Sequence, residues 1–127
     1  MRIPALLAAA LALTVAPAAP LLAHVKLAAS TPAAGSAAKA PQAITLTFSE
    51  KVAAASVSAN IVMTAMPGMA DHGEMAIRNF TPAWSADGKT LTLTLRKPLP
   101  KGSYEVRWRA TGADGHAVTG TLAFDVG

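Results

Sequence analysis

The chain has 127 residues, of which 52% are hydrophobic, 14% are charged and none is cysteine. This length points to one domain, the absence of cysteine excludes disulfides and thiolate metal sites, and the hydrophobicity excludes a disordered chain. A formal charge of +4 with 5% aromatic residues falls short of the basic, aromatic-interleaved surface that nucleic-acid binding uses.

Residues 1–23, MRIPALLAAALALTVAPAAPLLA, place one basic residue, Arg2, ahead of an apolar run from Ala5 to Val15 that only Thr14 interrupts. Small residues and prolines follow. This is the pattern of a secretory signal peptide, with an apolar core too short to span a membrane. Cleavage after Ala23, with Leu21 in the minus-three position, makes His24 the first residue of the mature chain; the small-x-small alternative, Ala16-Pro17-Ala18, ends at Ala18. The mature protein is expected to begin at His24, to carry no membrane span and to be monomeric.

From His24 onward the pattern is β. Val25 to Ala28 is a weak strand candidate, followed by a turn at Thr31-Pro32 and Gly35. Ile44, Leu46 and Phe48 alternate strictly with Thr45 and Thr47, as on a half-buried antiparallel strand. The stretch 52–59 has room for one helical turn, and Val57 to Val62 is another weak strand. Ala76 to Phe80 is a third. Leu91, Leu93 and Leu95 alternate with threonines, after a hairpin connection at Ala86-Asp87-Gly88-Lys89. Tyr104, Val106 and Trp108 alternate with Glu105, Arg107 and Arg109. Val118, Gly120, Leu122, Phe124 and Val126 share one face of the last strand. About seven short antiparallel strands at this spacing predict an all-β, Greek-key β-sandwich of immunoglobulin/cupredoxin-like type. Lys51, Lys89, Lys97, Lys101, Arg107 and Arg109 read as solvated sheet charges, and Trp108 as core.

Four of the five methionines, Met63, Met66, Met69 and Met75, fall in one short segment that also holds His72, in the series M-x2-M-x2-M-x2-H-x2-M. Pro67-Gly68 breaks any helix there, and a strand sends residues three apart to opposite faces. The segment therefore reads as a loop in which methionines have little core to fill. Thioethers are soft, neutral donors that select Cu(I), and imidazole adds a stronger donor. A second, harder set comes from His24, Asp114 and His116. A mature N-terminal histidine offers an amine and an imidazole, and Asp114-Gly115-His116 offers a carboxylate and a second imidazole; on extended backbone residues i and i+2 point the same way. Three nitrogens and one oxygen suit tetragonal Cu(II), with zinc and nickel as less favoured alternatives.

The segments HVKLAASTPAAGS, ITLTFSEKV, IVMTAMPGM, YEVRWRATGADGH and TGTLAFDV resemble the CopC family of periplasmic copper-binding proteins over nearly all of residues 24–127. The resemblance implies a periplasmic protein with two separate copper sites. One takes Cu(II) at His24, Asp114 and His116, with the glutamate of the FSE segment, Glu50, as an axial or neighbouring group. The other takes Cu(I) at a subset of Met63, Met66, Met69, His72 and Met75. It also implies a role in copper resistance or homeostasis, carrying or buffering copper, with CopD-like inner-membrane proteins or other periplasmic copper proteins as partners. No nucleophile–base constellation is visible, so the protein reads as a non-enzyme. The alternative is a copper oxidase or monooxygenase, because a terminal histidine and a second histidine also form a histidine brace; a third reading, an adhesin or assembly module, leaves the methionine cluster without a role.

Overall fold

The alternating segments become nine strands in a computed structural model that describes residues 25–68 and 73–127. In chain order they are β1 (Leu27–Thr31), β2 (Ala37–Ala38), β3 (Ala43–Phe48), β4 (Ser58–Ala65), β5 (Met75–Ile77), β6 (Phe80–Trp84), β7 (Thr90–Leu95), β8 (Gly102–Thr111) and β9 (Ala117–Val126). One 3-10 turn, Ala54–Ser56, lies in the stretch that had room for it. The strands form a four-stranded sheet, β1-β3-β7-β6, and a five-stranded sheet, β2-β9-β8-β4-β5. The chain crosses between sheets from β3 to β4 and from β7 to β8, and each crossing joins central strands that lie side by side, β3 with β7 and β4 with β8. This interlocking gives the Greek-key sandwich that the strand count predicted.

Period-two patterning fixes which face is buried. Ile44, Leu46, Phe48, Leu91, Leu93 and Leu95 face Tyr104, Val106, Trp108, Leu122, Phe124 and Val126 across a single core. Phe48 packs edge-on against Trp108 at 5.2 Å between ring centroids and stacks on Trp84 at 6.2 Å. Gly120 is the cross-strand partner of Trp108, and a Cβ at that position would run into the indole ring. Glycine thus interrupts the apolar face of β9 because tryptophan already fills the space. Tyr104 keeps its hydroxyl satisfied by donating to the Pro100 carbonyl at 2.6 Å, and burial pushes its pKa up to about 12.

Several details differ from the sequence reading, beginning with nine strands where about seven were expected. Ala76 to Phe80 is not one strand: β5 ends at Ile77 in one sheet and β6 begins at Phe80 in the other, so Arg78-Asn79 carries the chain across. Strand β2 has only two alanines and pairs parallel with β9; so short an element leaves no alternation to read. Met63 and Met75 are not loop residues, since Met63 lies within β4 and Met75 opens β5 as its register partner.

The register also sorts the connections by end. At one end Val52 bridges to Gly112, near Val25 and the turn between β8 and β9. At the other, Ala65 pairs with Ser103 and Gly102 with Val126, beside the start of the methionine-rich segment. Strand β8 spans the two ends with ten residues, a separation of about 30 Å at the usual strand rise.

Candidate metal centres

The first candidate centre is built around a glycine. Lys26 and Ser49 tie the start of the described chain to the end of β3: the Lys26 N–H donates to Ser49 Oγ at 3.0 Å, and the Ser49 N–H donates to the Lys26 carbonyl at 2.8 Å. Val25 before it is 2% exposed and Glu50 after it is half-buried. Both meet Gly112, where β8 ends. A Cβ on Gly112 would collide with the Val25 side chain and would sit 3.0 Å from Glu50 Oε1 and 3.5 Å from Asp114 Oδ1. The missing side chain is what lets Val25 and two carboxylates converge.

Beyond Gly112 the chain turns tightly. The Gly115 N–H donates to the Gly112 carbonyl at 3.0 Å, and Gly115 has a φ of +82°, a region that favours glycine. Asp114 Oδ1 accepts the His116 N–H at 2.9 Å, and Asp114 Oδ2 lies 3.3 Å from His116 Nδ1. Asp114 and His116 are therefore brought together by a turn, not by the extended backbone inferred from their spacing. The Asp114 side chain is 19% exposed and that of His116 is 64% exposed, so the imidazole stands at the surface above a partly buried carboxylate. His24 lies outside the described residues. Among the described residues no three His, Cys, Asp or Glu side chains form a ready metal-binding cluster.

The second candidate centre lies at the β4–β5 hairpin. Met63 is 2% exposed and belongs to the core, half-buried Met66 packs against that core, and Met75 is 47% exposed. Met63 and Met75 are directly opposed across β4 and β5. Met66 lines a surface cleft of about 320 Å³ with Pro67, Gly102 and Asp125. The hairpin thus gathers three thioether side chains with graded exposure, from core to surface. Met69 and His72 fall outside the described residues.

Sequence reasoning missed one contact beside this hairpin. Arg107 is not merely solvated: Nη1 and Nη2 donate to the two carboxylate oxygens of Glu74 at 3.1 and 2.6 Å, and Nε donates to Glu105 Oε1 at 2.9 Å. The fork of hydrogen bonds holds the Glu74 carboxyl below its ordinary pKa and raises that of Arg107. Glu105 and Arg107 sit two apart on one strand face, which was a readable signal; Glu74 is 33 residues away in sequence and was not.

The fold and these donors define a small two-sheet β-sandwich protein, with a carboxylate–imidazole group at one end and thioethers at the other. The CopC domain model matches residues 27–127, and the chain belongs to that family. It is 45% identical over 104 residues to a copper resistance protein C of Pseudomonas syringae pv. tomato, covering 82% of this chain and 81% of that protein. Against copper resistance protein C of Escherichia coli it is 41% identical over 105 residues, covering 83% and 82% respectively. Its fold is similar to the crystal structure of PcoC, a methionine-rich copper resistance protein from Escherichia coli, with a TM-score of 0.74 and 39% identity, covering 83% of this chain and all of that one.

Proposed function

We propose that the protein binds copper in copper resistance or homeostasis and carries or buffers it in the periplasm. The observation that carries this reading is the convergence of Val25, Glu50 and Asp114 on Gly112, with His116 held against Asp114. His24 directly precedes Val25 in the sequence. Removal of residues 1–23 as a signal peptide gives that histidine a free α-amine. The amine, two imidazoles and the Asp114 carboxylate make a three-nitrogen, one-oxygen set suited to Cu(II), with Glu50 as an axial or neighbouring carboxylate.

The methionine-rich hairpin supplies the complementary chemistry. Thioethers of Met63, Met66, Met69 and Met75, with the His72 imidazole, favour Cu(I), and thioethers do not have to lose a proton to bind. The graded burial of Met63, Met66 and Met75 supports a site rooted in the core and open at the surface. The roughly 30 Å length of β8 favours two independent sites over a shared one. An anionic Asp114 ligand stabilises Cu(II) against reduction, which favours a carrier over an oxidase. A CopD-like inner-membrane protein or another periplasmic copper protein is the proposed partner.

Chelator competition tests this assignment in each oxidation state. His116→Ala should weaken Cu(II) binding and spare Cu(I); Met66→Leu with Met75→Leu should do the reverse. Equal affinities in wild type and variants would reject the two sites.

A further inference from the structure

We propose that Arg107 is a positioning residue for Cu(I), fixing the carboxyl-terminal stem of the methionine-rich hairpin so that Met75 stays opposite Met63. The inference rests on the reading of that hairpin as the Cu(I) site. Strand β5 is a three-residue edge strand paired only with β4, and so short an edge has few ladder bonds of its own to hold it. Arg107 lies on β8, on the far side of β4, where its register partner is Asn60. Its guanidinium reaches across that strand to grip both carboxylate oxygens of Glu74, the residue immediately before Met75. Glu105 accepts from Nε and orients the guanidinium.

The same face carries a second sign of order. Val62 has Glu105 and Ala76 as its register partners on the outward face, yet it is only 8% exposed. The face crossed by the ion network is thus covered over the middle of β4. An exposed single ion pair holds little, but a bidentate arginine–carboxylate contact within a three-residue network is the geometry in which surface charges do fix position. Lysine cannot replace it fully, since a single ammonium cannot make the fork.

The test compares wild type, Arg107→Ala, Arg107→Lys, Glu74→Gln and the Met66→Leu/Met75→Leu variant by competition with a Cu(I) chelator and, separately, a Cu(II) chelator. Arg107→Ala and Glu74→Gln should each weaken Cu(I) binding about fivefold, with a smaller loss for Arg107→Lys. Cu(II) affinity should stay within about twofold, because that candidate centre begins at Gly112, five residues beyond Arg107 along the chain and about 17 Å away. Unchanged Cu(I) affinity in both Arg107→Ala and Glu74→Gln, with the methionine variant weakened, overturns the positioning role and leaves the hairpin site standing. Equal proportional loss for Cu(I) and Cu(II) also overturns it, since that is general destabilisation. An unaffected methionine variant removes the hairpin site and the inference with it. Glu74→Gln keeps the guanidinium and its contact with Glu105, so the test survives if Arg107→Ala fails to fold.

Discussion

Replacing Gly112 by alanine adds one methyl group at the point where the candidate Cu(II) centre is assembled. The new Cβ would overlap the buried Val25 side chain, lie 3.0 Å from Glu50 Oε1 and lie 3.5 Å from Asp114 Oδ1. The Glu50 carboxylate can swing aside, but Val25 is 2% exposed and packed in the core, so the strain falls mainly there. Overpacking of this kind costs about 2 kcal/mol, which for a domain of this size lowers Tm by about 10 °C. Displacing carboxylates around a metal typically costs about 10-fold or more in affinity. Thermal unfolding monitored by circular dichroism and Cu(II) chelator competition measure the two effects, and Cu(I) affinity serves as the control. Adding Val25→Ala to Gly112→Ala should return part of the lost stability, because the colliding methyl groups are gone. A Gly112→Ala protein with wild-type Tm and wild-type Cu(II) affinity would refute the convergence of Val25, Glu50 and Asp114 at this glycine.

Other outcomes follow from the same structure. Burial holds the folded pKa of Tyr104 near 12, above its ordinary value of 10.0, so its stabilising contribution is complete below pH 10 and is lost as pH rises through about 12. As the only tyrosine, it can be followed by phenolate absorbance, which should appear together with alkaline unfolding; ionisation near 10 without unfolding contradicts its burial. Gly120→Ala drives a methyl group into the Trp108 ring and should cost about 1–3 kcal/mol, read as a lower denaturation midpoint and altered indole fluorescence. Met63→Leu nearly conserves volume in the core and should cost less than about 1.5 kcal/mol, so any larger fall in Cu(I) affinity than in stability reports the lost sulfur. Copper-loaded protein with ascorbate should form no peroxide beyond that of free copper; sustained turnover would favour the oxidase reading.

Most of the fold was legible because its central strands alternate without interruption: Ile44 to Phe48, Leu91 to Leu95 and Tyr104 to Trp108 read directly as the facing layers of the core. The short edges were not. Two alanines in β2 carry no alternation, the Ala76–Phe80 candidate ran across the change of sheet at Arg78-Asn79, and the rest of β6 was missed because Pro82 lies within it. The methionine segment misled in part, since a run of thioethers spaced by three suits a loop, whereas its first and last members sit on paired strands. Asp114 and His116 were chosen correctly as neighbours, for a different reason from the one their spacing suggested: the turn at Gly115 folds them together. The part Gly112 plays in the centre was not legible, because a glycine that makes room for Val25 and Glu50 can be recognised only once those distant residues are side by side. The Arg107–Glu74 pair was hidden for the same reason.

The proposed Cu(II) site joins a mature amino-terminal His24 to Asp114 and His116. Electron paramagnetic resonance of the Cu(II) complex, on secreted protein whose first residue is established by mass spectrometry, decides whether it exists. The expected result is a chain starting at His24 and a tetragonal, nitrogen-rich spectrum that changes in His24→Ala and in His116→Ala but not in Met66→Leu/Met75→Leu. A chain starting upstream of His24, or a spectrum unchanged by both histidine substitutions, would contradict it.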